Sequence, residues 1–181
     1  MAFTAVERMH FNNMVERILH VPGNYNGGIL EMAIIFDCNL EKDALTYIGK
    51  EVAGILKTHS RVFQNVRLNV VLWESDDKLV KEISALPLFQ MGRYFEEFHS
   101  VKSKKRLELL TQQLKKFYAR SKLVILVTDG TYRMDDKEML KEELQPFLYR
   151  RFIIISAQDS KREETQEVEI KSGMELLKGV L

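Results

Sequence analysis

AIIFDCNLEKD, residues 33–43, decides how the rest of the chain is read. Apolar residues run without interruption into Asp37, and Asn39, Glu41 and Asp43 follow at every second position. A continuous apolar run of strand length fits a central parallel strand covered on both faces. In open α/β sheets, ligands bind in the crevice outside the carboxyl ends of the strands. An aspartate that closes such a run is therefore a candidate site residue, with Asn39 and Glu41 beside it.

Outward from that strand, residues 42–58 place Leu45, Ile48, Val52, Ile55 and Leu56 on one helical face. VRLNVVLWES (66–75) is a second strand, and Ser75-Asp76-Asp77 is a tight turn into the alternating KLVKEISAL (78–86), an antiparallel hairpin. LFQMGRYFEEFHS (88–100) is irregular or a short helix. Residues 103–118 carry Leu107, Leu110, Leu114, Phe117 and Tyr118 at helical spacing. KLVILVTDG (122–130) is the clearest buried strand, and residues 135–148 form a helix with Leu140, Leu144, Phe147 and Leu148 on its apolar face. RRFIIISA is a further buried strand, EVEIK a weak one and GMELLKGVL a closing helix. Strands alternating with helices of this length indicate βαβ units and a mostly parallel sheet.

The 181 residues suit one compact α/β domain with a terminal extension. With 45% hydrophobic and 29% charged residues and only 3 prolines, the composition argues against disorder. A net charge of +1 gives no global case for nucleic acid or an anionic membrane. No apolar run reaches bilayer-spanning length, and the charged N-terminal stretch lacks a signal-peptide core. The single cysteine, Cys38, cannot form an internal disulfide, as expected in a reducing cytoplasm.

Taken in order, these stretches resemble a von Willebrand factor A (VWA) domain over residues 29–181, preceded by a helical extension and loop at 1–28. The match is carried by Asp37-x-Asn39-x-Glu41, where the family has Asp-x-Ser-x-Ser. LNVVLWESDDKLVKEISALP, VILVTDG ending near Asp129, and the tail QEVEIKSGMELLKGVL complete it. The resemblance implies a doubly wound, mostly parallel, Rossmann-like sheet with helices on both faces and one antiparallel edge strand. It also implies a degenerate metal site holding Mg²⁺ or another divalent cation through Asp37, Asn39, Glu41, Ser103 and Asp129, or a scaffold that has lost the ion. Ser103 and Ser100 are the hydroxyls available for the family's threonine. Three converging carboxylates repel one another unless a cation or protons neutralise them, so this set demands either an ion or separated side chains.

Other chemistries are weaker. A haloacid dehalogenase-like, Mg²⁺-dependent phosphatase would use Asp37 as nucleophile, but its second aspartate is here Asn39, and Asp159 falls several residues late. A receiver-like phosphoacceptor needs a lysine from a strand end, and no strand end supplies one. Cys38 lacks a nearby base to form thiolate and reads as a small packed residue. KSKKR (102–106) reads as a solvated basic face, without the interleaved aromatics of a nucleic-acid groove.

The expectation is a non-catalytic, cytoplasmic protein-interaction module. Similarity to bacterial intracellular VWA members implies a partner such as an ATPase of the AAA+ type or another component of a multiprotein assembly. The apolar stripe of the N-terminal helix is expected to pack on the domain's own sheet edge or helical layer; the alternative is docking on a partner or a second copy of the chain.

Overall fold

The computed structural model describes residues 3–19, 30–59, 66–86, 98–118, 120–147, 151–159 and 166–180. The predicted break at 22–28 and most of the segment at 88–100 lie outside them. The elements run α1 (Ala5–Leu19), β1 (Leu30–Asp37), α2 (Lys42–Lys57), β2 (Val66–Ser75), β3 (Lys78–Leu86), α3 (Leu107–Tyr118), β4 (Leu123–Thr128), α4 (Lys137–Leu144), β5 (Phe152–Asp159), β6 (Gln166–Ser172) and α5 (Gly173–Val180). A single 3-10 turn, Gln145–Phe147, follows α4. The result is α/β, with the six strands in one sheet of order β3-β2-β1-β4-β5-β6.

β2, β1, β4 and β5 are mutually parallel. β3 pairs antiparallel with β2, as the hairpin reading expected. β6 is antiparallel to β5 as well, so both edges are antiparallel rather than one. The cause is chain length. Only residues 160–165 separate β5 from β6, whereas a parallel return needs a crossover of a dozen residues or more.

The chain leaves β1 toward β2 through α2 and leaves β4 toward β5 through α4. These moves go in opposite directions along the sheet, so crossovers of the same hand place the two helices on opposite faces. The core divides accordingly. Met32, Ile34 and Phe36 of β1 join α2 and the α1 residues Phe11, Met14, Val15 and Ile18 on one face. Ala33 and Ile35 join Leu107, Leu110, Leu140, Leu144 and Leu177 of α3, α4 and α5 on the other. Thus α1 packs within the domain's own helical layer, beside α2 and β6. Its start is a capping box: Glu7 N–H donates to Thr4 Oγ1 at 3.2 Å, while Thr4 N–H donates to the Glu7 carboxylate at 2.9 Å. Cys38 is buried in the first of these cores, in keeping with a packed residue.

Two helices are shorter than their periodicity suggests. α3 begins at Leu107 rather than 103, because residues 103–106 are drawn into contacts with the ends of β1 and β2. α4 begins at Lys137, where Asp136 caps it by accepting from Met139 N–H at 3.0 Å, and it gives way to the 3-10 turn around Pro146. Among the described residues no helix is long and apolar enough to cross a membrane.

Candidate functional site

The sheet order reverses between β1 and β4, the switch point at which the carboxyl ends of doubly wound strands open. Side-chain alternation then decides which groups meet. Ala33 and Ile35 of β1, Val71 of β2, and Val124 and Leu126 of β4 all face α3 and α4. Two residues further along each strand, the same face carries Asp37, Trp73 and Thr128. Asp37 and Trp73 are register partners across β1 and β2.

Asp37 is fully buried, and both of its oxygens are engaged. Oδ2 accepts the Thr128 hydroxyl at 2.7 Å. Oδ1 accepts Asn39 N–H at 3.0 Å and the ammonium of Lys105. Lys105 is itself 1% exposed, and its Nζ also donates to the Trp73 carbonyl at 2.8 Å. The third side of the ammonium lies 4.9 Å from the centroid of the Trp73 ring, a cation–π contact. Lys105 belongs to the run read as a solvated face. Lys102 and Lys104 are exposed as expected, but Lys105 is a core residue.

Around this pair the loops are stitched together. The Asn39 amide donates to the Ser103 carbonyl and accepts Ser103 N–H, both at 2.9 Å, and also donates to Thr131 Oγ1 at 3.2 Å. Thr131 in turn gives its N–H and hydroxyl to Asp129 Oδ1, at 3.0 and 2.7 Å. Val101 N–H donates to the Cys38 carbonyl at 2.8 Å. Arg133 N–H donates to the Lys105 carbonyl, and Leu107 N–H to the Arg133 carbonyl, both at 2.8 Å. Asp76, in the β2–β3 turn, takes Arg106 N–H at 2.7 Å and its guanidinium at 3.2 Å. Gly130 allows the sharp exit from β4: its φ of 81° is left-handed, and its N–H reaches Thr128 Oγ1 at 3.1 Å.

Asp37, Asn39 and Ser103 therefore come together directly, and Asp129 joins them through Thr131. Ser103 joins by its backbone; its hydroxyl donates instead to the Glu74 carbonyl at 2.5 Å. Ser100 Oγ donates to the Cys38 carbonyl at 3.2 Å. Glu41 turns outward to pair with Lys102 at 3.0 Å, with both side chains more than 60% exposed. The three carboxylates thus have three separate partners, the arrangement that relieves their repulsion without a shared ion. Among the described residues no three His, Cys, Asp or Glu side chains converge on a point that could hold a metal ion. Of the oxygens assigned by the VWA resemblance, both of Asp37, Asn39 Oδ1 and Asp129 Oδ1 accept from protein donors, and Glu41 faces Lys102.

Three residues of the cluster were not singled out in the sequence. Thr128 and Thr131 flank Asp129 on the strand end already selected, so their hydroxyls were within reach of the same reasoning. Lys105 carried no such signal, being one of four basic residues in five.

Tyr132 lies behind this apex, its ring centroid 6.4 Å from that of Trp73. Burial first, and then the negative charges of Glu169 and Asp37, push its hydroxyl up to about 12. A cleft of about 550 Å³ opens to one side, lined by Asp76, Asp77, Leu79, Gln113, Phe117 and Tyr118; Asp37 is not among its lining residues.

The fold and apex define an open-sheet α/β protein with a hydrogen-bonded cluster at its switch point. No protein-family profile matches the chain, and no curated protein is significantly similar to it.

Proposed function

We propose that the chain is a non-catalytic protein-interaction module of VWA type, which binds a protein partner through the surface at the carboxyl ends of β1, β2 and β4. The observation that carries this reading is the sealing of Asp37. A phosphoryl-accepting aspartate must present an oxygen to substrate, and here both oxygens are buried and hydrogen-bonded. This argues against the phosphatase-like alternative.

Above the sealed pair, the rim offers charged groups on loops fixed to one another: the Glu41–Lys102 pair, Asp129, and Arg133 with Asp135 at 3.3 Å. Fixed loops lose little entropy on docking, which favours recognition by shape and charge. The resemblance makes an AAA+ ATPase or another assembly component the partner class.

The test is affinity capture from the native cell with wild type, the rim charge reversal Glu41→Lys/Lys102→Glu, and Arg8→Glu on α1 as control. A discrete partner retained by wild type and the control but lost by the rim variant is expected. Mg²⁺-dependent turnover of a phosphoester panel, abolished by Asp37→Asn, would overturn the reading.

A further inference from the structure

We propose that the Lys105 ammonium is the resident cation of this switch-point site, so that the apex is assembled without a divalent metal ion. The consequence for partner binding rests on the docking function proposed above; the replacement itself rests only on the geometry around Asp37.

Charge is the first argument. One fully buried carboxylate faces one fully buried ammonium, so the pair itself carries no net charge. A divalent cation added to this pair would leave two uncompensated positive charges in the same space. Coordination number is the second. An ammonium needs three acceptors, and Lys105 has the Asp37 carboxylate, the Trp73 carbonyl and the Trp73 ring face. A hard divalent cation needs about six oxygens. Here both Asp37 oxygens, Asn39 Oδ1 and Asp129 Oδ1 already accept from protein donors that tie the loops together, and Glu41 is paired outward with Lys102.

Delivery is the third argument. Lys105 is not a flexible surface chain that has fallen inward. Its own carbonyl accepts Arg133 N–H, the next residue's N–H is held by Asp76, and Leu107 N–H is held by the Arg133 carbonyl. The backbone on either side is thereby pinned to the loop after β4 and to the β2–β3 turn, and the side chain is aimed down at the end of β1. The ammonium thus reaches Asp37 between the Trp73 carbonyl and the Trp73 ring.

The experiment measures melting temperature in EDTA and in millimolar Mg²⁺, Mn²⁺ or Ca²⁺. For wild type the curves should coincide. Lys105→Met, which keeps the stem and deletes the charge, should melt roughly 10 °C lower because it strands a buried carboxylate. Asp37→Asn/Lys105→Met should recover much of that loss, since the two charges leave together; a packing role alone would give no such recovery. A saturable metal-induced rise in wild type that disappears in Asp37→Asn overturns the proposal, with no dependence on whether Lys105→Met folds. So does a double variant no more stable than the single.

Capture of the partner in EDTA separates the two readings. Binding that EDTA abolishes, together with a metal-induced rise in wild-type melting temperature that Asp37→Asn removes, overturns the resident cation and leaves the docking surface standing. Binding indifferent to both EDTA and the rim charges overturns the docking surface and leaves the cation standing.

Discussion

The side-chain amide of Asn39 and the peptide of Ser103 exchange two hydrogen bonds, each 2.9 Å long, as two paired strand residues would. One side chain thus extends the pairing of the sheet past the end of β1 and holds the loop that carries Lys105. Asn39→Asp keeps the shape but replaces the donor with an acceptor facing the Ser103 carbonyl. A loss of about 1–3 kcal/mol is expected in urea denaturation. Amide exchange across residues 100–106 should accelerate with it, whereas an exchange pattern like wild type would show that the loop is held by other contacts.

Thr128 spends its hydroxyl twice, donating to Asp37 and accepting from Gly130 N–H. Thr128→Val is nearly isosteric and deletes both bonds in a buried setting, so it should lower stability by about 1–3 kcal/mol. Thr128→Ser keeps the hydroxyl and should lie closer to wild type. Equal unfolding midpoints for the valine and serine variants would remove the hydroxyl from the account.

Gly130 sits at φ 81° on the exit from β4. Any other residue there meets left-handed strain, so Gly130→Ala should cost about 1 kcal/mol or more. The same substitution at Gly54, inside α2 with nothing within 4 Å of a new Cβ, should stabilise by up to about 1 kcal/mol. Chemical denaturation of the pair checks both signs at once.

Tyr132 links stability to alkaline pH. Its hydroxyl titrates near 12 when folded, against an ordinary value of about 10. The unfolded chain therefore releases the proton first, and stability is full below pH 10 and lost progressively as pH rises toward 12. Two pKa units correspond to about 2–3 kcal/mol. Unfolding free energies measured from pH 8 to 12 should fall more steeply for wild type than for Tyr132→Phe; parallel curves would contradict the assignment.

The parallel centre of the sheet was legible in the sequence because it needs only local information. Continuous apolar runs at 32–36, 123–127 and 152–155 fit strands covered on both faces, and the helices between them show their buried stripes at the period of the helix. The antiparallel β6 was within reach too. The short gap before residue 166 forbids a parallel return, yet the likeness to a family with one antiparallel edge pointed the other way.

The site divides differently. That Asp37 closes one buried apolar run and Asp129 follows another was determined by the sequence; that those two strand ends are neighbours was decided by the sheet order. Which charges those aspartates face did not follow. Glu41 and Lys102 lie more than sixty residues' reach apart in the chain sense, and Lys105 reaches Asp37 from a run of lysines that local pattern can only read as solvated. Burial of one lysine among exposed neighbours depends on three loops closing around it, from the ends of β1, β2 and β4. Each of those contacts joins segments distant in sequence, and the cost of an unpaired buried charge is decided only when they meet. Tertiary structure alone selected Lys105 as the partner of Asp37.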